Sequence, residues 1–187
     1  MKDSILRTGL MAFTVLLSVS CAHRQAKQEQ PDKIVVSVST DMEKGPVSLQ
    51  SWENEHTIVQ MQSPAKAHSG IYVSKVDSLN IYSYAFYDTL KNLNNVVPYK
   101  VFVRGWFYVP EPVDDFIIAL DISDKGQNIL WKSISISRQI RELNKWTEFN
   151  AVFDIDQPVK TDHQIKILAF AGKKEACFDD INITFEY

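Results

Sequence analysis

Short runs of alternating apolar and polar residues follow one another along the chain from Ile34 onward. Alternation with a period of two sends successive side chains to opposite faces and predicts β-strands. Segments rich in turn-forming residues, such as SPAKAHSG and DKGQN, separate the runs. Ten strands are predicted: residues 34–39, 57–62, 70–76, 81–90, 99–109, 115–123, 129–137, 147–155, 164–172 and 181–187.

Helical periodicity is nearly absent from this pattern. Only RQIRELNKW (residues 138–146) is compatible with a helix, of one or two turns. Evenly spaced short strands with turns between them favour an all-β fold, here an antiparallel β-sandwich of residues 34–187. The chain of 187 residues is long enough for one such domain with a sizeable core.

The run YKVFVRGWFYV (residues 99–109) predicts a strand with two different faces. One face carries only aliphatic residues, phenylalanine and glycine, and we expect it to lie in the core. The other face carries Phe102, Arg104, Trp106 and Tyr108, which places a cation among aromatic rings. Aromatic rings stack on the apolar side of sugars, so Arg104, Trp106 and Tyr108 are the candidate ligand-binding residues. Trp131, inside the predicted strand 129–137, is expected in the core.

The N-terminus has the features of a signal peptide. Lys2 and Arg7 precede the apolar run GLMAFTVLLSV, and small residues follow it up to Cys21. The run has about 11 residues, which is shorter than the roughly 20 that a membrane-spanning helix needs. We therefore expect residues 1–20 to direct export and to be removed.

The segment LLSVSC (residues 16–21) resembles the lipobox of bacterial lipoproteins, in which the cysteine is acylated and becomes the first mature residue. Ser18 stands where the usual pattern has leucine. The resemblance implies lipidation of Cys21, and the alternative is ordinary cleavage beside an incidental cysteine. Residues 21–33 contain almost no residue that could join a core and are expected to form a flexible tether. The predicted location is the bacterial cell envelope, with a lipid anchor in the outer membrane.

Charge and cysteine content exclude some classes of function. Without residues 1–20 the chain has 18 basic and 22 acidic side chains, a formal net charge of −4. Nucleic acid is not an expected partner, because binding it requires a clustered positive field. The second of the two cysteines, Cys177, adjoins a predicted strand and is expected to be a buried free thiol.

Several landmarks together resemble a known family. They are DMEKG (residues 41–45), Trp52, AHSGIYVSKVDSLNIYSYAF (67–86), WTEF (146–149) and FDDINI (178–183). Their order resembles jelly-roll domains of the carbohydrate-binding-module type, with a galactose-binding-like fold, over nearly all of residues 36–187. The resemblance implies a jelly roll that binds polysaccharide and has no catalytic activity. It also implies that Trp52 and Trp146 pack in the core.

The same resemblance implies one structural calcium ion near the first and last strands. Its ligands would be Glu43 (or Asp41), Asp180 (or Asp179) and backbone carbonyls near His68 and Ser69. Calcium takes about six to eight oxygen ligands, and these residues would supply several of them. The alternative is that the two aspartates end a hairpin and stay hydrated.

No catalytic motif is present. The histidines lack HExxH spacing and no serine lies in GxSxG. Asp179 and Asp180 are adjacent, and neighbours on an extended chain point to opposite sides, so they are not expected to share a substrate. Two functions are favoured: a lipid-anchored, non-catalytic module for carbohydrate, or an accessory envelope lipoprotein that docks on another protein and binds no glycan. A third, an all-β glycoside-processing enzyme, would require two carboxylates that face each other in a cleft.

Overall fold

The computed structural model describes residues 33–47 and 49–187. In this part the chain forms eleven β-strands, one single-turn α-helix, α1 (Leu90–Leu93), and two 3-10 helices, Glu55–Thr57 and Ser137–Gln139. The strands are β1 (Val35–Thr40), β2 (Trp52–Glu53), β3 (Ile58–Gln60), β4 (Tyr72–Val76), β5 (Ala85–Thr89), β6 (Lys100–Tyr108), β7 (Ile117–Asp124), β8 (Gln127–Ser135), β9 (Trp146–Asp154), β10 (Gln164–Phe170) and β11 (Ala176–Glu186).

The strands form two antiparallel sheets that pack as a β-sandwich. One sheet has five strands in the order β2-β5-β10-β7-β8. The other has six and runs β3-β4-β11-β6-β9, with β1 also paired to β11. Within each sheet, most neighbouring strands are not consecutive along the chain.

Strand β11 has an unusual edge in the six-stranded sheet. Its first residues, from Ala176 to Phe178, pair with β4, and its residues from Ile181 to Glu186 pair with β1. The opposite edge of β11 pairs with β6 throughout, apart from a register shift between Asp179 and Asn182. The edge that faces β1 and β4 therefore has a gap at Asp179 and Asp180, between the two partner strands.

The core lies between the sheets and is rich in phenylalanine. Seven phenylalanine side chains have under 2% of their surface exposed: Phe86, Phe107, Phe116, Phe149, Phe153, Phe178 and Phe185. Burial alternates along β6 as the sequence predicts, with Val101, Val103 and Phe107 buried. Gly105 belongs to the same face, and a side chain there would meet Phe149 and Ile181. One face of β6 therefore belongs to the core and the other is available to solvent.

The predicted β-sandwich is confirmed, and each of the ten predicted strands corresponds to a strand of the structure. The two-residue strand β2 was not predicted, because so short a run shows no alternation. Residues 138–146 do not form the predicted helix. Only the 3-10 turn Ser137–Gln139 is helical there. Beyond it, the backbone N–H of Asn144 donates to the carbonyl of Val109 instead of to a helical partner.

Two further expectations are wrong. Strand β11 begins at Ala176, so Asp179 and Asp180 lie inside a strand and do not end a hairpin. Trp131 does not lie in the core, since it is 50% exposed on the outer face of the five-stranded sheet. Its neighbours in β8 explain the difference, because Leu130 is the residue that points inward.

Within the described residues, no helix has both the length and the apolar character needed to cross a membrane. The predicted signal peptide, Cys21 and the tether up to residue 32 lie outside those residues.

Candidate functional site

A bulge in β11 brings two carboxylates to one turn. Asp180 has a φ of 49°, and the register with β6 shifts between Asp179 and Asn182. The backbone N–H of Ser69 donates to Asp179 Oδ2 over 3.1 Å, and Ser69 Oγ donates to Asp180 Oδ1 over 2.8 Å. The expectation that the two side chains point to opposite sides is therefore wrong. It assumed an extended chain, which the left-handed conformation of Asp180 interrupts.

Glu43 holds the same turn from its other side. One carboxylate oxygen, Oε1, accepts hydrogen bonds from the backbone N–H groups of Ile71 and Tyr72, each over 2.9 Å. Gly70 lies between these contacts and those of Ser69, with a φ of +52°. A Cβ atom on Gly70 would lie 2.1 Å from the carboxyl carbon of Glu43. Glycine is required here for both its conformation and its lack of a side chain.

Asp179 has a structural role. Its side chain is fully buried, and burial raises the pKa of its carboxyl group to about 6. Hydrogen bonds from the backbone oppose this increase, and the nearby charge of Asp180 adds to it. Both oxygens of Asp179 accept backbone hydrogen bonds, from Ser69 and from Asp180 itself. A carboxylate enclosed in this way fixes the turn and has no open side toward a substrate.

The predicted calcium ligands lie around this bulge, but not all of them line the same pocket. A shallow pocket of about 260 Å³ is lined by Ser39, Thr40, Asp41, Asp180, Ile181 and Asn182. Asp41 and Asp180 thus line one pocket, whereas Glu43 does not line it and accepts hydrogen bonds from the backbone of the turn. Its polar atoms are mostly oxygens, which suits calcium. Among the described residues there is, however, no group of three or more His, Cys, Asp or Glu side chains arranged to hold a metal.

His68 connects the bulge to the aromatic face of β6. Its Nδ1 lies 2.6 Å from Asp180 Oδ2. Its ring stacks on Trp106, with 3.9 Å between ring centroids and 14° between the planes. The same ring meets Trp146 edge-on at 5.9 Å. The position of Trp106 therefore depends on the turn that Glu43 and the two aspartates hold.

Trp146 and Tyr108 extend this set of aromatic rings. Their ring centroids are 5.8 Å apart, and the indole N–H of Trp146 donates to the backbone carbonyl of Lys66 over 2.7 Å. The Tyr108 hydroxyl donates to Asn144 Oδ1 over 3.1 Å. We call His68, Trp106, Tyr108 and Trp146 the aromatic cluster.

A pocket of about 540 Å³ opens beside the aromatic cluster, and we call it the arginine pocket. Trp106 and Trp146 form part of its lining, and the remaining residues are polar or charged. Those residues are Arg138, Gln139, Arg141, Glu142, Lys145, Thr147, Glu148 and Asn150. Apolar ring surface next to many hydrogen-bonding groups is the composition expected of a site for a polar ligand.

The structure places the three predicted ligand residues on the outer face of β6, as the alternation indicates. Arg104 is exposed and is the cross-strand neighbour of Asn150, a residue of the arginine pocket. Trp106 lines that pocket, whereas Tyr108 lines a separate groove of about 490 Å³ on the other side of Trp146. Trp146 is partly exposed and lies between the two, which corrects its expected place in the core.

Sequence analysis did not identify Arg138, Arg141, Trp146 or His68 as site residues. The two arginines lie in the segment that was interpreted as a short helix, and His68 comes from a turn 38 residues before Trp106. Alternation assigns faces only within strands, so it gives no signal for groups that loops contribute.

Several solved structures that resemble this chain are carbohydrate-binding modules. The CBM22-2 xylan-binding domain of Xyn10C from Paenibacillus barcinonensis is 13% identical, with a TM-score of 0.50, over 79% of this chain and 98% of that chain. The CBM22-1 xylan-binding domain of the same protein is 12% identical, with a TM-score of 0.47, over 79% of this chain and 92% of that chain. Family 16 carbohydrate-binding module 2 is 13% identical, with a TM-score of 0.47, over 78% of this chain and 96% of that chain.

The similarity to the CBM22-2 domain confirms the predicted jelly-roll fold. No protein-family model matches the sequence, and no curated protein sequence is significantly similar to it.

Replacing Gly70 by alanine should destabilise the domain through the turn. The new Cβ would displace the Glu43 carboxylate and weaken two hydrogen bonds to backbone N–H groups, in addition to the strain of a positive φ. We expect a loss of about 2–4 kcal/mol in the free energy of unfolding, measured by urea denaturation.

Gly126→Ala is the matched control. Gly126 also has a positive φ, of +80°, but nothing lies within 4 Å of the position that its Cβ would occupy. This variant should lose only about 1 kcal/mol, from backbone strain. Equal losses for the two variants would show that Glu43 does not hold the turn.

Proposed function

We propose that residues 33–187 form a non-catalytic module that binds carbohydrate at the arginine pocket. The main supporting observation is the pocket itself, which combines two tryptophans with a rim of polar side chains. Sugars present both an apolar face of C–H groups and a ring of hydroxyls, and so they match this composition. The fold that the chain shares with a xylan-binding domain agrees with the proposal, although a fold by itself does not determine a function.

Specific groups of the pocket suit the two parts of a sugar. The ring surfaces of Trp106 and Trp146 would contact the apolar face of the sugar. Thr147, Glu148 and Asn150 follow on β9 and line the same pocket, where they would hydrogen-bond to hydroxyls. Because β6 and β9 are paired from Lys100 to Tyr108, these groups stand on a rigid sheet. A rigid site loses little conformational entropy on binding.

We further propose that the module does not catalyse a reaction. The adjacent carboxylates Asp179 and Asp180 accept hydrogen bonds from Ser69 and from the backbone. Glycosidic hydrolysis by two carboxylic acids requires the pair to flank a bond with room for the sugar between them. This pair encloses a turn instead, which leaves no such space.

The alternative function, docking on another envelope protein without binding glycan, would use a different surface. The outer face of the five-stranded sheet exposes Trp131, which is 50% exposed, and Tyr82, which is 45% exposed. These aromatic residues lie on the opposite sheet from Trp106. The two functions therefore predict different effects for two tryptophan substitutions.

Trp106→Ala and Trp131→Ala form a matched pair that tests the binding site. A screen of neutral and acidic polysaccharides should identify a ligand of the purified chain. Trp106→Ala should then weaken its binding at least about tenfold, or about 1.4 kcal/mol, because a stacking surface is lost. Trp131→Ala should leave binding unchanged, as measured by isothermal titration calorimetry.

Asn150→Ala gives a second measure, because Trp106 also stacks on His68 and its removal could disturb the fold. Asn150 is exposed and neutral, and its replacement should weaken binding without changing the unfolding transition. Loss of binding in Trp131→Ala but not in Trp106→Ala would place the site on the other sheet. Absence of binding to any polysaccharide would favour the docking function.

We also propose that one calcium ion is held at the bulge, where Asp41 and Asp180 line the oxygen-rich pocket. A bound ion would tie the end of β1 to the bulge and stabilise the folded state. At a calcium concentration 100 times the dissociation constant, the gain would be about 2.7 kcal/mol. Calcium added after chelation should therefore raise the melting temperature, magnesium should not, and Asp41→Asn should abolish the increase. An unchanged melting temperature with calcium would contradict the proposal.

The lipid anchor at Cys21 is a proposal that rests on the sequence pattern LLSVSC. Mass spectrometry of the mature chain should find residue 21 at its N-terminus and carrying acyl chains, in the membrane fraction of the cell envelope. Cys21→Ser should release the chain from that fraction, whereas Cys177→Ser should not, because Cys177 is buried in the domain. An unmodified Cys21 in the mature chain would contradict the anchor.

A further inference from the structure

The arginines of the described domain are concentrated at one place. The domain has three arginines, Arg104, Arg138 and Arg141. Arg138 and Arg141 line the arginine pocket, and Arg104 pairs across the sheet with Asn150 at its rim. The described domain as a whole has 16 basic and 20 acidic side chains, a net charge of −4. The arginine pocket is therefore a basic site on an acidic domain.

The three arginines have no ionic partner. Among the described residues none of them forms an ion pair, whereas seven of the thirteen lysines do. The paired lysines are Lys33, Lys75, Lys100, Lys132, Lys145, Lys166 and Lys174. The acidic side chains thus neutralise lysines at many points of the surface and leave the arginines free.

The acidic side chains within the pocket do not cancel its charge. Glu142 pairs with Lys145, which removes one charge of each sign. Glu148 then remains against Arg138 and Arg141. Arg104 adds a further positive charge at the rim, so the pocket keeps a positive excess.

The segment that carries Arg138 and Arg141 is fixed to the sandwich by hydrogen bonds. The Gln139 side chain both donates to the carbonyl of Asn150 and accepts from its N–H group, each over 3.0 Å. Ser137 Oγ donates to the carbonyl of Asp114 over 2.6 Å. Ile136, just before the segment, is fully buried. The backbone that carries the two arginines is therefore held against β9, although their side chains are exposed.

We infer that the arginine pocket binds an anionic saccharide, with a sugar ring against the two tryptophans and a carboxylate or sulfate-ester group held by Arg138 and Arg141. This inference rests on the proposed function and specifies its class of ligand. The planar guanidinium group presents paired N–H donors that match the oxygens of a carboxylate or sulfate. A neutral glycan would leave both guanidinium groups without a counter-charge.

The shared chemistry of the ligand is an anionic group on a sugar, and two sources can supply it. Uronic acids carry a carboxylate, and sulfated sugars carry a sulfate ester. Polygalacturonate and dextran sulfate represent the two sources, with xylan as a neutral polymer. Highly methyl-esterified polygalacturonate is the sharpest control, because it keeps the sugar backbone and removes the charge.

The experiment measures the affinity of the purified full chain for these four polymers by isothermal titration calorimetry. Wild type should bind at least one of the anionic polymers at least tenfold more tightly than xylan. If the anion is a carboxylate, esterification should weaken binding by a similar factor. Higher salt should weaken binding to the anionic polymer only, because exposed charges are screened.

The test variant combines Arg138→Gln with Arg141→Gln, and it should lose at least tenfold in affinity for the anionic polymer. Its control combines Lys125→Gln with Lys173→Gln, which changes the net charge equally at exposed residues outside the pocket. This control should bind as wild type does. Replacing both arginines with lysine should restore only part of the affinity, because lysine keeps the charge but lacks the paired donors.

The outcomes separate this inference from the proposed function. Binding to xylan and to the esterified polymer as tight as to the anionic polymers would overturn the inference and leave the proposed function intact. If the Arg138→Gln, Arg141→Gln variant bound the anionic polymer as tightly as wild type, the inference would again be overturned and the proposed function would stand. Binding of dextran sulfate but not polygalacturonate would support the inference and identify the anion as a sulfate ester. No binding to any polymer would overturn both.

Discussion

The hydrogen bonds between Ser69 and the adjacent aspartates of β11 are the interaction on which the site depends. Strand β11 has no β-partner on one edge at Asp179 and Asp180, because β4 ends its pairing before them and β1 begins after them. The turn at Ser69 fills this gap and supplies the donors that the two carboxylates accept. Buried polar groups are costly unless they are paired, so the turn and the bulge require each other.

The effect of this interaction extends to the face of β6. His68 precedes Ser69, contacts Asp180 with its ring nitrogen and stacks on Trp106. Trp106 in turn lines the arginine pocket, whose other wall comes from the segment after β8. A feature that resembles a catalytic or metal-binding pair in the sequence thus packs, through His68, against the aromatic residues of the candidate site. Glu43 takes part in the same way, since its carboxylate holds the far side of the turn.

The strands were predictable because each has one face in the core, and the alternation along β6 correctly separated Val101 and Phe107 from Arg104 and Trp106. The bulge was not predictable. The positive φ of Asp180 changes which side of the sheet the neighbouring side chains point to, and the residue types in this segment do not indicate it. The pocket was missed for a related reason. Arg138 and Arg141 lie in a loop that the Gln139 side chain fixes to Asn150 of β9 by hydrogen bonds, and an alternating pattern carries no information about such side-chain contacts. The exposure of Trp131 shows the same limit, since a large aromatic residue on a strand can belong to either face.

The position of β1 at the border of its sheet has a mechanical consequence. Within the described residues β1 pairs only with β11, through six residue pairs that begin with Val35 and Glu186, and Lys33 forms an ion pair with Glu186 just beyond them. A force that pulls the chain at residue 33 away from the sheet would break the hydrogen bonds of these pairs one after another, starting at Val35, instead of shearing all of them at once. Under tension the first strand would detach before the others, while β6 and β9, which carry half of the residues that line the arginine pocket, stay paired with each other on the far side of β11.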